Sequence, residues 1–228
     1  MNYKMKSYRQ IKLIAITVCS LLLLNCENKV KNKLDSRVAS LPYYNEASFT
    51  PYWLESGSEV QQTFHQIPAF TLTNQEGETI TEATFQDKIY ITDFFFTTCP
   101  GICPKMTANM DILQQEFKKN DEILLLSHSV TPEIDSVSVL KEYATTKGIN
   151  SEKWHLVTGK RSDIYDLGRN HYFVEEDLGE NKTDADFLHT ENFVLIDKNR
   201  QIRGIYNGLN KTAVQQLIAD VKTLQLEK

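Results

Sequence analysis

Cysteine is scarce in this chain of 228 residues: there are four, and two of them, Cys19 and Cys26, lie close to the N-terminus. Only Cys99 and Cys103 are left for a folded domain, and they are separated by three residues. A disulfide that closes so short a loop removes little conformational entropy from the unfolded chain. A purely structural bridge is therefore a weak explanation for this pair.

The sequence also lacks a hydrophobic run long enough to span a membrane. Its longest apolar run, residues 11–24, is about 14 residues long, whereas a spanning helix needs about 20. Before or within that run stand four basic residues and no acid: Lys4, Lys6, Arg9 and Lys12. This arrangement is typical of a secretory signal that is not part of the fold.

The predicted signal ends in LLNC, residues 23–26. Leu at position −3 and cysteine at +1 resemble the lipobox of bacterial lipoproteins, with Asn25 at −1 where Gly, Ala or Ser is usual. We expect residues 1–25 to be removed and Cys26 to be lipidated, which predicts a membrane-anchored lipoprotein of the bacterial cell envelope that faces the periplasm. The alternative is an uncleaved signal anchor with a free Cys26.

Positive charge is in short supply as well. The net charge is −5, and removal of residues 1–25 leaves 21 basic and 30 acidic residues, a net charge of −9. An acidic surface argues against nucleic acid as a partner and against electrostatic attachment to anionic lipid. Internal repeats and low-complexity tracts are absent, and the length suits one domain at 61–228 after a tether and irregular segment at 26–60.

Strand and helix patterns alternate along that domain. A hairpin is predicted around a turn at Asn74–Gly77, and a second one around a turn at Asp197–Asn199. Buried strands are predicted at 88–96, 122–130 and 153–159, and helices at 103–120, 135–148, 161–170 and 210–228. The fold class is therefore α/β, with a mixed central sheet flanked by helices and an N-terminal β-hairpin extension. The order of elements resembles a thioredoxin-like fold.

The stretch FFFTTCPGICPKM, residues 94–106, lies where a predicted buried strand ends and a helix begins. Unpaired amide groups and the positive end of the helix dipole favour thiolate at Cys99 and Cys103. Their spacing puts both sulfurs on one helical face. These features suit a redox-active pair and a metal site equally well.

The spacing and the neighbouring residue types separate the two interpretations. Thioredoxin-type oxidoreductases carry C-x-x-C, and this motif is one residue longer. Two thiolates one helical turn apart can chelate a soft cation such as Cu(I), with an imidazole as third ligand. Five histidines are available: His65, His128, His155, His171 and His189. His189 has the best context, because it lies where a loop enters a predicted strand.

Four stretches together resemble the Sco/SenC family of copper chaperones, over residues 65–226. The cysteine stretch resembles the family's F-x-x-C-P-x-x-C-P motif, and DFLHTENFVLID resembles its histidine-containing segment. WHLVTG resembles the strand and turn between them. The family's S-x-x-P-x-x-D segment and the helix after it are matched at Ser129, Pro132, Asp135, Leu140 and Tyr143.

The resemblance implies a thioredoxin-like domain that holds one copper ion per chain, as Cu(I) and also as Cu(II), on Cys99, Cys103 and His189. It further implies delivery of copper, or of thiol reductant, to the cytochrome c oxidase subunit that carries the copper A site, and contact with other copper chaperones. Many members have Asp between the cysteines where this chain has Gly101. That departure affects none of the three ligands.

Two other functions use the same cysteines. A thiol–disulfide oxidoreductase of the cell envelope would need no metal. A peroxiredoxin-like peroxidase is disfavoured, because the P-x-x-x-T/S-x-x-C pattern is missing before Cys99.

Outside the motif, Asp93 could orient a ligand or move a proton; a strand-edge residue that is hydrogen-bonded to the backbone is the equal alternative. Met106 and Met110 are predicted to be core residues. The acidic segment 175–186 is predicted to be a solvated loop.

Overall fold

The computed structural model describes residues 35–175, 183 and 186–227. The predicted signal peptide, Cys26 and most of the acidic segment 175–186 lie outside the described residues. The boundary at residue 25 and the lipidation of Cys26 therefore stay predictions.

The described residues form seven strands, five α-helices and two shorter helical turns. The strands are β1 (Thr71–Asn74), β2 (Thr79–Thr81), β3 (Ile89–Phe95), β4 (Ile123–Ser129), β5 (Trp154–Thr158), β6 (Asn192–Ile196) and β7 (Ile202–Asn207). The α-helices are α1 (Glu59–Gln62), α2 (Cys103–Phe117), α3 (Val137–Lys147), α4 (Arg161–Asp166) and α5 (Lys211–Leu224). A 3-10 helix spans Glu82–Phe85, and a π-helical turn spans Leu167–His171. None of the helices in this part of the chain has the length and apolarity to cross a bilayer.

All seven strands belong to one sheet with the order β2-β1-β5-β4-β3-β6-β7. The central strands β3, β4 and β5 are parallel. The hairpin β1–β2 joins the sheet antiparallel to β5, and the hairpin β6–β7 joins it antiparallel to β3. The sequence-based prediction of a mixed sheet with two hairpins is therefore confirmed.

Central strands are buried on both faces, which explains their near-continuous apolar sequence. Every residue of β3 and β4 is buried. On one face, α2, α3 and α5 cover the sheet, and Met106 and Met110 are fully buried there. On the other face, α4 and the turn after it pack against the apolar side chains of the sheet. The predicted core role of the two methionines is confirmed.

The helix ends follow from local chemistry. The side chain of Ser136 accepts a hydrogen bond from the amide of Val139 at the start of α3, and Asn210 caps α5 in the same way. Gly148 ends α3 in the left-handed region at φ 69°, where a side chain would be strained. The predicted helix at 161–170 has a different form: α4 continues directly into the π-helical turn.

Residues 41–54, which we name the strap, lie along the outer strand β7. Within the strap, Tyr43 and Tyr52 pair in an isolated antiparallel bridge, and the amide of Tyr44 donates to the carbonyl of Ile202 in β7 at 3.1 Å. The buried guanidinium of Arg203 donates to the carbonyl oxygens of Leu41 at 2.7 Å and Pro42 at 3.1 Å. The predicted irregular segment is thus anchored to the domain by main-chain contacts.

Candidate metal centre

The cysteine stretch and the His189 segment meet at one edge of the sheet. β3 runs toward Cys99, and β6 begins three residues after His189. The two strands are antiparallel neighbours, with Thr92 opposite Val194. The end of β3 therefore lies beside the start of β6, although about ninety residues of chain separate them.

The sulfur of Cys99 takes the place of a side-chain cap on α2. Ile102, at the N-cap position, makes no side-chain cap bond, and Pro104 occupies the first turn. Partial burial raises the pKa of the Cys99 thiol. Hydrogen bonds from the Cys103 thiol and from the main-chain amides of Gly101, Ile102 and Cys103 outweigh burial, so the net shift of the Cys99 pKa is downward.

Cys103 has the opposite character. It is buried, and both cysteines are free thiols in this structure. Burial, and then the hydrogen bond to Cys99, raise the pKa of the Cys103 thiol. The pair therefore consists of an accessible, nucleophilic sulfur at Cys99 and a buried thiol at Cys103 that donates to it.

Asp135 ties the cysteine loop to the end of β4. Its buried carboxylate accepts from the amide of Thr97 at 3.2 Å and from the hydroxyl of Thr97 at 2.5 Å. The same carboxylate accepts from the hydroxyls of Ser129 at 2.5 Å and Thr131 at 3.1 Å. These bonds fix the residue that stands two positions before Cys99. Asp135 matched the family pattern in the sequence, but only the structure gives it this positioning role.

Asp93 is a buried carboxyl on β3. Its side chain lies on the face of the sheet against which the cysteines pack. It is 2% exposed and accepts a hydrogen bond from the hydroxyl of Ser127, which itself accepts from the indole nitrogen of Trp154 at 2.8 Å. Burial raises the pKa of Asp93 to about 7, although the bond from Ser127 lowers it. The partner is a side chain on the neighbouring strand, so the alternative of a strand residue bonded to backbone is wrong.

His189 is exposed, and its segment is held by three contacts. The ring of Phe187 packs edge-on against Phe96, with 5.3 Å between the ring centroids. Leu188 is buried in the core beside Phe94. The main-chain amide of His189 donates to Glu175 Oε1 at 3.1 Å. The imidazole therefore lies on the solvent side of a segment whose backbone is fixed.

The other four histidines are placed elsewhere. His128 and His155 are buried within β4 and β5. Burial lowers the pKa of His128 to about 3, so this ring stays neutral. His65 and His171 stack on each other with 6.2 Å between centroids, beside the π-helical turn. His189 is thus the histidine on the segment that adjoins the cysteine loop.

Two thiol sulfurs and an imidazole are donors that suit Cu(I). In residues 35–175, 183 and 186–227, no three His, Cys, Asp or Glu side chains form a group that could hold a metal ion. A site that uses Cys99, Cys103 and His189 together therefore requires the His189 ring to approach the sulfurs. The three-ligand site stays a prediction. At Gly101, a β-carbon would meet no atom within 4 Å, so the difference from the family's Asp is not steric.

Comparison with known proteins gives the family. The family model SCO1/SenC matches residues 58–225. The chain belongs to the SCO1/SenC family. Among curated relatives, the SCO1 protein homolog of Bacillus subtilis (strain 168) is 30% identical over 163 residues, which cover 70% of this chain and 82% of the relative.

Solved structures of the family share the fold. BsSco, described as a member of the Sco family of cytochrome c oxidase assembly proteins with a disulfide switch, is 30% identical with a TM-score of 0.60, over 72% of this chain and 95% of that one. A SCO1/SenC family lipoprotein from Bacillus anthracis str. Ames is 28% identical with a TM-score of 0.61, over 71% and 95%. The thioredoxin-like fold predicted from the sequence is confirmed.

Proposed function

We propose that this chain binds copper through Cys99, Cys103 and His189 and serves the assembly of cytochrome c oxidase. The copper ion is cargo, one per chain, held mainly as Cu(I). The observation that carries the proposal is that the cysteine pair, with its nucleophilic Cys99, and the His189 segment meet at one edge of the sheet. The family membership supports it, since BsSco is described as belonging to cytochrome c oxidase assembly proteins.

Cys99 is suited to bind the copper ion first, and Cys103 is suited to bind it second. The lowered pKa of Cys99 makes its sulfur the available thiolate ligand. Cys103 must lose its proton when copper binds, because the metal ligand is the thiolate. Its raised pKa makes copper uptake release a proton and therefore depend on pH.

The ligand set is tested by titrating the reduced full chain with Cu(I) against a chromophoric chelator. We expect one Cu(I) per chain in the wild type and loss of tight binding in the Cys99→Ala, Cys103→Ala double variant. His189→Ala should weaken binding and change the spectrum of the Cu(II) form. Normal copper binding by the double variant would refute the proposal, and an unchanged His189→Ala variant would remove that ligand.

The proposed acceptor is the oxidase subunit that carries the copper A site. Deletion of the gene should lower copper A loading in isolated oxidase, and the wild-type chain should restore it. The double cysteine variant, expressed at the same level, is the matched control and should not restore loading. Normal copper A loading in the deletion strain would contradict this part of the proposal. Other copper chaperones are proposed as the donors.

We also propose that Cys26 carries a lipid and anchors the protein to the envelope membrane, with the domain facing the periplasm. The signal-like residues 1–25 and the LLNC sequence support this. The chain should label with palmitate and partition into detergent, and Cys26→Ser should abolish both. A water-soluble, unlabelled mature protein would indicate ordinary signal cleavage.

A metal-free thiol–disulfide oxidoreductase is the second candidate function. The opposite pKa shifts of Cys99 and Cys103 favour it, because such a pair has an attacking thiolate and a protonated partner. An insulin-reduction assay separates the two functions. We expect slow turnover; fast turnover, together with normal copper A loading in the deletion strain, would favour the oxidoreductase.

A further inference from the structure

The segment after α4 bears a charged pair that touches the His189 segment. Arg169 lies in the π-helical turn, and its Nε donates to Glu175 Oε2 at 2.7 Å. The two side chains are only 13% and 9% exposed. A planar guanidinium held by a largely buried carboxylate makes strong, directional hydrogen bonds.

The remaining donors of Arg169 reach the chain that leads to His189. Its two terminal nitrogens donate to the carbonyl oxygen of Thr183 at 2.7 Å and to that of Asp186 at 2.6 Å. Asp186 in turn accepts from the amide of Thr183 at 2.7 Å. One guanidinium therefore binds the carboxylate of Glu175 and the main-chain carbonyls three and six residues before His189.

Glu175 completes the connection on its other oxygen. While Oε2 accepts from Arg169, Oε1 accepts from the main-chain amide of His189 at 3.1 Å. The guanidinium of Arg169 and the main-chain amide of His189 therefore bind the two oxygens of one carboxyl group. Arg169 thus acts on His189 through Glu175 and through the two carbonyls.

The neighbouring residue Gly168 leaves room for the same segment. A β-carbon on Gly168 would lie 2.6 Å from Leu188 Cδ1 and 3.0 Å from Phe94 Cε1. The turn that carries Arg169 therefore binds the His189 segment by polar contacts and receives Leu188 by close packing.

We propose that Arg169 and Glu175 are positioning residues. They hold the main chain of His189 at the edge of the sheet where the cysteines lie, and thereby raise the affinity of the site for copper. The inference rests on the proposed function and adds the residues that order its third ligand. This clamp, formed by Arg169 and Glu175, binds the main chain of the His189 segment, so the exposed imidazole stays free to turn toward the sulfurs. Without the clamp, copper binding would have to order the His189 segment and would be weaker by that entropy.

The test compares Cu(I) affinity in the reduced full chain for Arg169→Gln, Arg169→Lys and a matched control, Arg200→Gln. Arg200 lies in the β6–β7 turn. Arg169→Gln should bind Cu(I) about tenfold more weakly, at the low end of the usual effect of residues that orient metal ligands. Arg169→Lys should be intermediate, because lysine can pair with Glu175 but lacks the fork that reaches both carbonyls. Arg200→Gln should match the wild type.

A second background shows whether Arg169 acts through His189. When His189→Ala is already present, adding Arg169→Gln should cause no further loss of affinity. The nitrogen couplings in the electron paramagnetic resonance spectrum of the Cu(II) form should weaken in Arg169→Gln and persist in Arg200→Gln. Equal losses with and without His189 would mean that Arg169 supports the fold rather than the ligand, and would overturn the inference.

A metal-free measurement separates this inference from the proposed function. Amide hydrogen exchange at His189 should accelerate at least about tenfold in Arg169→Gln and Glu175→Ala, because the acceptor of that amide is lost or released. If exchange accelerates but the wild type binds no copper, the proposed function and the effect on copper affinity fail, while the positioning of the His189 main chain by Arg169 and Glu175 stands. If copper binds through His189 while affinity, spectrum and exchange are unchanged in both variants, the clamp is refuted and the function stands.

Discussion

Replacing the buried carboxyl of Asp93 should change how stability depends on pH. Burial raises the pKa of Asp93 to about 7 from an ordinary 3.8, against the effect of the bond from Ser127. Between these two pH values, the folded protein therefore keeps a proton on Asp93 that the unfolded chain has already released. Stability must fall as pH rises through this window, because ionising Asp93 in the folded state is unfavourable.

The magnitude follows from the two pKa values. Each unit of difference corresponds to about 1.4 kcal/mol, so the full effect is about 4 kcal/mol of unfolding free energy. Asn has the same shape, does not titrate, and can still accept from Ser127. We expect the stability of Asp93→Asn, relative to the wild type, to increase by about 4 kcal/mol between pH 4 and pH 8.

Other groups titrate in the same range, so the comparison must be made between the two proteins. Burial lowers the pKa of His128 to about 3, and stability from this neutral ring rises with pH, opposite to the effect of Asp93. Cys103 and Tyr143, which interact electrostatically with Asp93, have raised pKa values and stay neutral. Subtracting the wild-type stability from that of Asp93→Asn at each pH cancels the contributions of these groups.

The assay is urea unfolding of the reduced, metal-free full chain at pH 4, 5, 6, 7 and 8. A difference curve that is flat across this range would refute a raised pKa at Asp93. If the stability of Asp93→Asn relative to the wild type decreased with rising pH, the ionised carboxylate of Asp93 would be stabilised in the folded state. Ser127→Ala offers a second variant: without the bond the pKa of Asp93 should rise further, and the fall in the stability of Ser127→Ala should continue to higher pH than in the wild type.

Three further outcomes are expected. Iodoacetamide at neutral pH should alkylate Cys99 at least about tenfold faster than Cys103, as mapped by mass spectrometry, because only the thiolate reacts and Cys103 is buried with a raised pKa. Met110→Ala should lose about 2–5 kcal/mol in urea unfolding, since Met110 is fully buried. Gly168→Ala should lose about 1–3 kcal/mol through its clash with Leu188, and an unchanged stability would show that Leu188 can move away without cost.

Much of this fold could be predicted because its signals are local. The apolar run of β3 and the spacing of Met106, Met110, Leu113 and Phe117 depend only on the repeat of strand and helix. The turn at Gly77, where φ is 80°, follows from the conformational freedom of glycine. The position of the cysteines at the junction of β3 and α2 needs no knowledge of distant contacts. The short helix α1 and the 3-10 helix were not predicted, because segments of four residues carry little periodicity.

The supporting side chains could not be predicted, because their partners are set by the three-dimensional pairing of distant segments. Asp93 lies opposite Ser127 only because of the register between β3 and β4. Arg169 was one of many charged residues, and its bonds to Thr183 and Asp186 depend on the π-helical turn. A long, flexible charged side chain gives no sign in sequence of the carboxylate it will meet.

The strap gives a reason to choose expression boundaries with care. The family match begins at residue 58, yet the strap before it supplies Leu41 and Tyr43 to the buried interior. A fragment cut at residue 58 would leave the guanidinium of Arg203 without two of its carbonyl acceptors and would expose the outer edge of β7. Bare strand edges recruit other chains. Aggregation of such a fragment would therefore report the missing strap rather than any property of the cysteine site.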